Sequence, residues 1–198
     1  MKNSIDAALK VLREGGLILY PTDTVWGIGC DASNEEAVRK VFALKQRSDS
    51  KSLVLLAHDM DMIADHIKEV PEMAAQLVEV NDAPMTIIYP GAIVRSSEAQ
   101  RGPCLAPSCV AEDGSVGMRI PASSEFCMKL LYAFRKPIVS TSANISGEAT
   151  PKGFADISDA IKDGVDFVAD PSCQGRTTGK SSQIIKVDLD GGISIIRA

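Results

Sequence analysis

The sequence predicts an α+β fold of α/β-like character, in which helices flank a twisted mixed β-sheet within one domain spanning residues 1–198. Short apolar runs of strand length alternate with amphipathic helical patterns along the whole chain. No internal repeat, low-complexity linker or break in composition divides the sequence, and its 198 residues are a usual length for one domain.

Helices are predicted where apolar residues share one face and a capping residue comes first. In the first of these segments, Ile5, Ala8 and Leu12 share a face, and Gly15 ends the pattern. Ser33 or Asn34 caps the second segment. The predicted helices, each with its cap, cover residues 3–14, 34–44, 59–67, 71–80, 123–134 (with Ser123 as the cap) and 154–162.

Strands are predicted where short apolar runs lie between glycine, proline and polar residues. These runs cover residues 17–20, 25–30, 52–57, 85–89, 116–120, 137–141, 166–169, 183–188 and 193–196. Residues 90–114 hold three prolines and three glycines, so a long irregular loop is predicted there.

Composition argues against several classes of protein. The net charge of −5 argues against a chain that coats nucleic acid non-specifically. The apolar run 53–57 is far shorter than a membrane span, and the N-terminus lacks a signal peptide's apolar segment. Five cysteines without a Cys-x-x-Cys spacing favour free thiols and a cytoplasmic location, and two histidines cannot supply a multi-His metal site.

Three polar segments are candidates for ligand binding, and each also has a plain structural explanation. Residues 21–24 follow a strand and offer hydroxyls and an acid, but they could also form a turn that caps itself. Lys45, Arg47 and Lys51 could clamp phosphates or offset a helix dipole. Residues 140–147 could bind phosphate or ribose, or hydrogen-bond their own backbone.

Arg119 lies inside the apolar strand 116–120. A buried cation is costly without a partner, so Arg119 must pair or bind an anion, unless it faces solvent. Motifs for P-loop nucleotide binding, dinucleotide binding and the serine nucleophile elbow are absent from the sequence.

The order of these segments resembles the YrdC-like family, which includes the threonylcarbamoyl-AMP synthases. The resemblance rests on Y-P-T-D-T-V-W-G-I-G at 20–29, K-Q-R at 45–47, V-G-M-R-I-P at 116–121 and T-S-A-N-I-S-G at 141–147. The second and fourth segments give the family's K-x-R and S-x-N signature. The resemblance extends from about residue 4 to residue 197.

The resemblance implies a YrdC-like fold in its single-domain form and the activity of a nucleotidyltransferase. Such an enzyme makes threonylcarbamoyl-AMP and pyrophosphate from L-threonine, bicarbonate or CO2, and ATP. The product serves modification of adenosine 37 in tRNAs reading ANN codons, through threonylcarbamoyl-transfer proteins. Mg2+ is expected on the nucleotide rather than in a protein metal site, and no membrane partner is expected.

The resemblance also implies roles for individual residues. It assigns the ATP contacts to Lys45, Arg47, Lys51, Ser115, Ser142, Asn144 and Thr150. It assigns the threonine contacts to Thr24, Arg119, Ser140 and Ser182. Lys45, Arg47, Ser142 and Asn144 are the implied catalytic residues. The sequence departs from the family at Leu56, where histidine is frequent, at Lys51, where asparagine is common, and at Trp26, where tyrosine is common.

Two other interpretations stay open from the sequence. A non-catalytic member of the family would bind only nucleotide or RNA, such as tRNA or double-stranded RNA. A third interpretation is a carbamoyl-adenylate-forming domain that acts on another amine or in maturation of a metal centre.

Overall fold

The computed structural model describes residues 1–46, 53–95 and 102–198. Within these residues, every predicted strand is present, with bounds that differ from the prediction by two residues at most. The strands are β1 (Ile18–Pro21), β2 (Trp26–Gly29), β3 (Val54–Leu56), β4 (Met85–Tyr89), β5 (Val116–Arg119), β6 (Ile138–Ser142), β7 (Phe167–Val168), β8 (Gln183–Val187) and β9 (Ile193–Arg197).

All of these strands belong to one sheet, in the order β7-β1-β2-β6-β3-β5-β4-β8-β9. Three neighbouring pairs are parallel, namely β1 with β7, β3 with β5 and β4 with β8. The other neighbours run antiparallel. The sheet is therefore mixed, as the sequence predicts.

The α-helices of the described residues confirm the main predictions and correct three details. They are α1 (Lys2–Arg13), α2 (Glu35–Leu44), α3 (Met60–Ala64), α4 (Glu72–Val80), α5 (Glu125–Phe134) and α6 (Asp159–Asp163). Asn34 caps α2 by accepting a hydrogen bond from the Ala37 amide. The prediction that Ser123 caps α5 is wrong by one residue, because the Ser124 hydroxyl accepts from the Cys127 amide.

Two predicted helices are shorter than expected, because residues within the predicted ranges make contacts outside the helix. α3 ends at Ala64, and Ile67 forms a β-bridge with Ala92 instead of continuing the helix. The predicted helix 154–162 is divided into a 3₁₀ turn, Phe154–Asp156, and α6. Ile157 between them is extended and buried, which breaks the helical hydrogen bonds.

The core lies between the sheet and the helices that cover it. α1 contributes Ile5, Ala8, Leu9 and Leu12, and it packs against α5. Full burial of one such leucine contributes about 1.5–3 kcal/mol to stability. All five cysteines are buried and free. No helix in the described ranges has both the length and the apolar character needed to cross a membrane.

The long segment 90–114 is irregular where the structure describes it, but it packs into the core. Leu105 and Ala106 are fully buried, and the Ala106 amide donates to the Ala32 carbonyl over 2.8 Å. The Ser108 hydroxyl donates to Glu35 at the start of α2 over 2.6 Å. This part of the segment is therefore fixed against α2.

Close packing of β2 against its neighbours predicts that Gly29→Ala destabilises the fold. An added Cβ would lie 2.7 Å from a ring carbon of Tyr20 and 2.8 Å from the Val139 carbonyl oxygen. Such overpacking should lower the free energy of unfolding by about 1–3 kcal/mol, measured by urea denaturation. Gly153→Ala is the control, because no described atom lies within 4 Å of its added Cβ. Equal stability of the two variants would contradict the prediction.

Candidate functional site

A cavity of about 240 Å³ opens on one face of the sheet. It is rich in hydroxyl groups, which come from Thr22, Thr24, Ser140, Thr141, Ser142, Ser181 and Ser182. The other lining residues are Val25, Gly27, Val54, Arg119, Ile184 and Arg197. The cavity can therefore offer many hydrogen bonds to a polar ligand, with positive charge from arginine.

The register of the strands places the central lining residues side by side. Val54 of β3 lies opposite Ser140 of β6, and Gly27 of β2 lies opposite Ser142. Arg119 of β5 lies opposite Leu56 of β3, two residues beyond Val54. Alternate residues of a strand point to the same face of the sheet. The side chains of Val54, Ser140, Ser142 and Arg119 therefore lie on one side of the sheet.

Arg119 forms a buried ion pair with Asp23. Its Nη1 donates to Oδ1 of Asp23 over 2.7 Å, and its Nη2 donates to Oγ1 of Thr24 over 3.1 Å. Arg119 is 4% exposed and Asp23 is fully buried. The other oxygen of Asp23 accepts from the Ala122 amide. The expectation that Arg119 must pair or bind an anion is met by Asp23, and the solvent-facing alternative is wrong.

The turn at residues 21–24 both caps itself and contributes to the cavity. The Thr22 hydroxyl accepts from the amides of Thr24 and Val25 and donates to the Val25 carbonyl. Its oxygen also lies 2.8 Å from Oγ1 of Thr24. Because the Thr22 proton goes to Val25, Thr24 donates to Thr22 and accepts from Arg119.

Lys45 contacts the S-x-N segment directly. Lys45 is 3% exposed, and its ammonium donates to the Ser142 carbonyl over 2.5 Å and the Asn144 carbonyl over 2.7 Å. The structure therefore brings together the two halves of the K-x-R and S-x-N signature, which are about a hundred residues apart in sequence. In this arrangement Lys45 fixes the backbone that presents Ser142 and Asn144.

Asn144 has a buried acceptor to offer a ligand. Its Nδ2 donates to the carbonyls of Ile145 and Glu148 over 3.1 and 2.8 Å. Its Oδ1 is buried and has no hydrogen-bond partner within the described part of the chain. An unpaired buried acceptor costs about 1–3 kcal/mol, so a ligand that donates to Oδ1 would be favoured.

The remaining predicted site residues lie in different places. Ser182 lines the cavity, and its hydroxyl is 2.8 Å from that of Thr86. Ser115 is buried outside the lining and donates to Asp113, and Thr150 is exposed outside the lining. Arg47 and Lys51 lie outside the described residues. The ATP contacts and threonine contacts expected of all these site residues stay predictions.

Sequence reasoning missed Asp23 as the partner of Arg119, and it missed Arg197 altogether. Arg197 donates from Nε and Nη2 to the Ser182 carbonyl, over 3.0 and 2.7 Å. Burial lowers the pKa of its guanidinium. A buried arginine calls for an acidic partner, but this requirement does not say which acid in the sequence it is. Arg197 lies in an edge strand with no motif around it.

Cys127 lies directly behind the turn, and its thiol is unsuited to nucleophilic attack. Its Sγ donates to the Pro21 carbonyl over 3.3 Å. Burial raises the pKa of this thiol to about 12, so it is protonated at neutral pH. Among the described residues, the polar groups that line the cavity are therefore hydroxyls and two arginines, while Asn144 and Lys45 lie outside its lining.

Comparison with known proteins identifies relatives over most of the chain. The family model Sua5_yciO_yrdC, described as "Telomere recombination", matches residues 10–198. The threonylcarbamoyl-AMP synthase of Stenotrophomonas maltophilia (strain K279a) is 36% identical over 145 residues, which cover 73% of this chain and 74% of that protein.

Two solved structures show the same fold. The crystal structure of P. abyssi Sua5 complexed with L-threonine matches with a TM-score of 0.77 and 28% identity. The match covers 92% of this chain and 50% of that one, so this chain spans about half the length of that relative. E. coli YciO matches with a TM-score of 0.79 and 24% identity, over 100% of this chain and 89% of that one. The predicted YrdC-like fold is confirmed.

The buried pair predicts that Asp23→Asn is strongly destabilising. The substitution removes the charge that compensates Arg119 inside the protein, which should cost about 3–5 kcal/mol of unfolding free energy in urea denaturation. Glu125→Gln is the matched control, because the Glu125–Lys129 pair is 63% and 55% exposed. Its cost should stay below about 1 kcal/mol. Similar costs for both variants would show that the buried charges are not coupled.

Proposed function

This chain belongs to the Sua5/YciO/YrdC family, and from that premise we propose that it is a threonylcarbamoyl-AMP synthase. It acts as a nucleotidyltransferase that joins L-threonine, bicarbonate or CO2, and the AMP part of ATP. The observation that carries the proposal is the hydroxyl-lined cavity that Arg119, Thr24 and Ser142 all line.

Threonine binds against Arg119 in this proposal. Among the described residues, the side chain of Arg119 hydrogen-bonds to Asp23 and Thr24, which leaves guanidinium N–H groups for a carboxylate. Arginine and a carboxylate form strong, oriented hydrogen bonds. The hydroxyls of Thr24, Ser140 and Ser182 lie in the same cavity and can bind the amino and hydroxyl groups of threonine.

ATP binds at the neighbouring S-x-N segment. Oδ1 of Asn144 can accept from a ribose hydroxyl or an adenine amino group, and the Ser142 hydroxyl faces the cavity. Lys45 holds this segment in place through two carbonyls. Lys45, Arg47, Lys51, Ser115 and Thr150 are proposed as further ATP contacts on the resemblance to the family.

The reaction proceeds in two steps. The threonine amine attacks CO2 to give a carbamate and loses a proton, and a carbamate oxygen then attacks the α-phosphorus of ATP. A new P–O bond forms, the bond to the β-phosphate bridge breaks, and pyrophosphate leaves. The protein contributes positioning of the substrates and neutralisation of the phosphate charge. The Cys127 thiol behind the turn is protonated and does not act as a nucleophile.

Mg2+ is proposed to arrive on the phosphates of ATP. Within the described residues, no group of three or more His, Cys, Asp or Glu side chains could hold a metal ion. Asp23, which pairs with Arg119 at the cavity, has both carboxylate oxygens engaged, one by Arg119 and the other by the Ala122 amide. We therefore propose no metal ligand among the described residues.

The product is an acyl phosphate, which is reactive towards an amine. We propose that threonylcarbamoyl-transfer proteins use it to modify adenosine 37 of tRNAs reading ANN codons. The five free, buried cysteines support a cytoplasmic location.

Two alternative functions have less support, because the relative from Stenotrophomonas maltophilia is named a synthase. One is an RNA- or nucleotide-binding protein without catalysis. The other is a carbamoyl-adenylate-forming domain that acts on another amine or in maturation of a metal centre.

The direct test is pyrophosphate release by purified protein with ATP, Mg2+ and bicarbonate. Release should depend on L-threonine and should be much weaker with L-serine or L-valine, because the threonine site must match both the hydroxyl and the methyl group. Absence of threonine-dependent release from a folded protein would contradict the proposal and favour the binding interpretation.

Arg119→Lys should weaken threonine binding without weakening ATP binding. Lysine keeps the charge that Asp23 needs but loses the planar fork that holds a carboxylate. The KM for threonine should rise about tenfold or more, which corresponds to about 1.4 kcal/mol, while the KM for ATP changes little. Arg13→Lys, in the exposed part of α1, is the control. Equal changes in both KM values would argue against a threonine-specific role.

A further inference from the structure

A second and larger cavity, of about 660 Å³, lies between α3 and the C-terminal end of α5. Among the described residues, the linings of this cavity and of the hydroxyl-rich cavity share no member. Its volume is typical of sites that bind small molecules or short peptide segments. The proposed reaction does not use it.

The wall at α5 carries an exposed aromatic ring between two polar groups. Tyr132 is 59% exposed, although tyrosine is a large side chain. The His58 ring lies 5.4 Å from its centroid, and the Arg135 guanidinium lies 5.1 Å from it. Asp59 orients His58 through a hydrogen bond of 2.8 Å. A flat, oriented surface of this kind can pack against a ligand.

Arg135 occupies a backbone conformation that favours glycine. Its φ is 63° and its ψ is 24°, at the C-cap of α5. An arginine there costs stability relative to glycine, because its Cβ crowds the backbone in the left-handed region. Strained residues of this kind concentrate at functional sites, so the guanidinium is a candidate for ligand binding.

The two walls of the cavity carry opposite charges that do not meet. Arg135 and Lys136 stand at the α5 wall, Asp59, Asp61 and Asp65 stand at the α3 wall, and Arg95 also lines the cavity. Asp59 pairs with His58 and Lys136 pairs with Asp31, whereas Arg135, Asp61 and Asp65 form no ion pair within 4.0 Å among residues 1–46, 53–95 and 102–198. A ligand with a positive group at one end and a negative group at the other would neutralise both walls at once.

We propose that this cavity binds a zwitterionic peptide segment. A basic group of the peptide lies against Asp61 and Asp65, a carboxylate lies against Arg135, and the part between them packs on Tyr132. A polyanion such as a nucleotide matches the cavity less well, because its phosphates would face the acids of α3. This site is independent of the synthase reaction, and it can be tested without ATP.

The test uses the tripeptide Lys-Ala-Glu with free termini, measured by calorimetry and by NMR titration of the purified protein. Binding should be detectable below about 10 mM, with shifts at His58 and Tyr132. Arg135→Gly and Asp61→Asn should each raise the Kd about tenfold or more. Arg135→Gly stays folded, because glycine suits the positive φ and should raise the stability.

Arg13→Gln and Asp6→Asn, both exposed in α1, are the matched controls and should bind as the unmodified protein does. An uncharged tripeptide, acetyl-Ala-Ala-Ala-amide, should bind much more weakly. The proposal is overturned if Lys-Ala-Glu does not bind, if the uncharged peptide binds equally, if AMP binds more tightly at the same residues, or if Arg135→Gly and Asp61→Asn leave the Kd unchanged.

Discussion

The buried pair of Arg119 and Asp23 is the interaction on which the site depends. A guanidinium inside a protein needs an opposite charge and hydrogen-bond acceptors close by. Asp23 lies in the turn between β1 and β2, and Arg119 ends β5, so the pair connects two separate parts of the sheet. It also places Thr24 in the cavity, because Thr24 accepts from Arg119. The stability of the fold and the arrangement of the cavity therefore rest on the same contact.

The sheet was predictable from sequence because its strands are short apolar runs between clear turn residues. Helix ends were less predictable, because they depend on which residue adopts an extended conformation before the helix. Ser123 and Ser124 are equivalent in sequence, and only the structure shows that Ser124 accepts from Cys127. The division of 154–162 follows from the burial of Ile157, a tertiary effect that helical periodicity does not reveal.

Part of the candidate site was predictable, because a buried charged side chain needs a partner of opposite charge. Arg119 stood out because a cation in an apolar strand needs a partner, but the sequence could not identify Asp23, which lies 96 residues away. The phosphate contact expected of Lys45 stays a prediction, and the sequence did not reveal that its ammonium also donates to the carbonyls of Ser142 and Asn144. Arg197 enters the cavity only through the pairing of β8 with β9, which no local motif predicts.

A double-mutant cycle on Asp23 and Arg119 tests the central claim most directly. Unfolding free energies would be measured for Asp23→Asn, Arg119→Met and the double variant. If the buried charges depend on each other, the double variant should be more stable than the sum of the single losses predicts, by about 2 kcal/mol or more. Additive losses, within about 0.5 kcal/mol, would show that the pair does not organise the site.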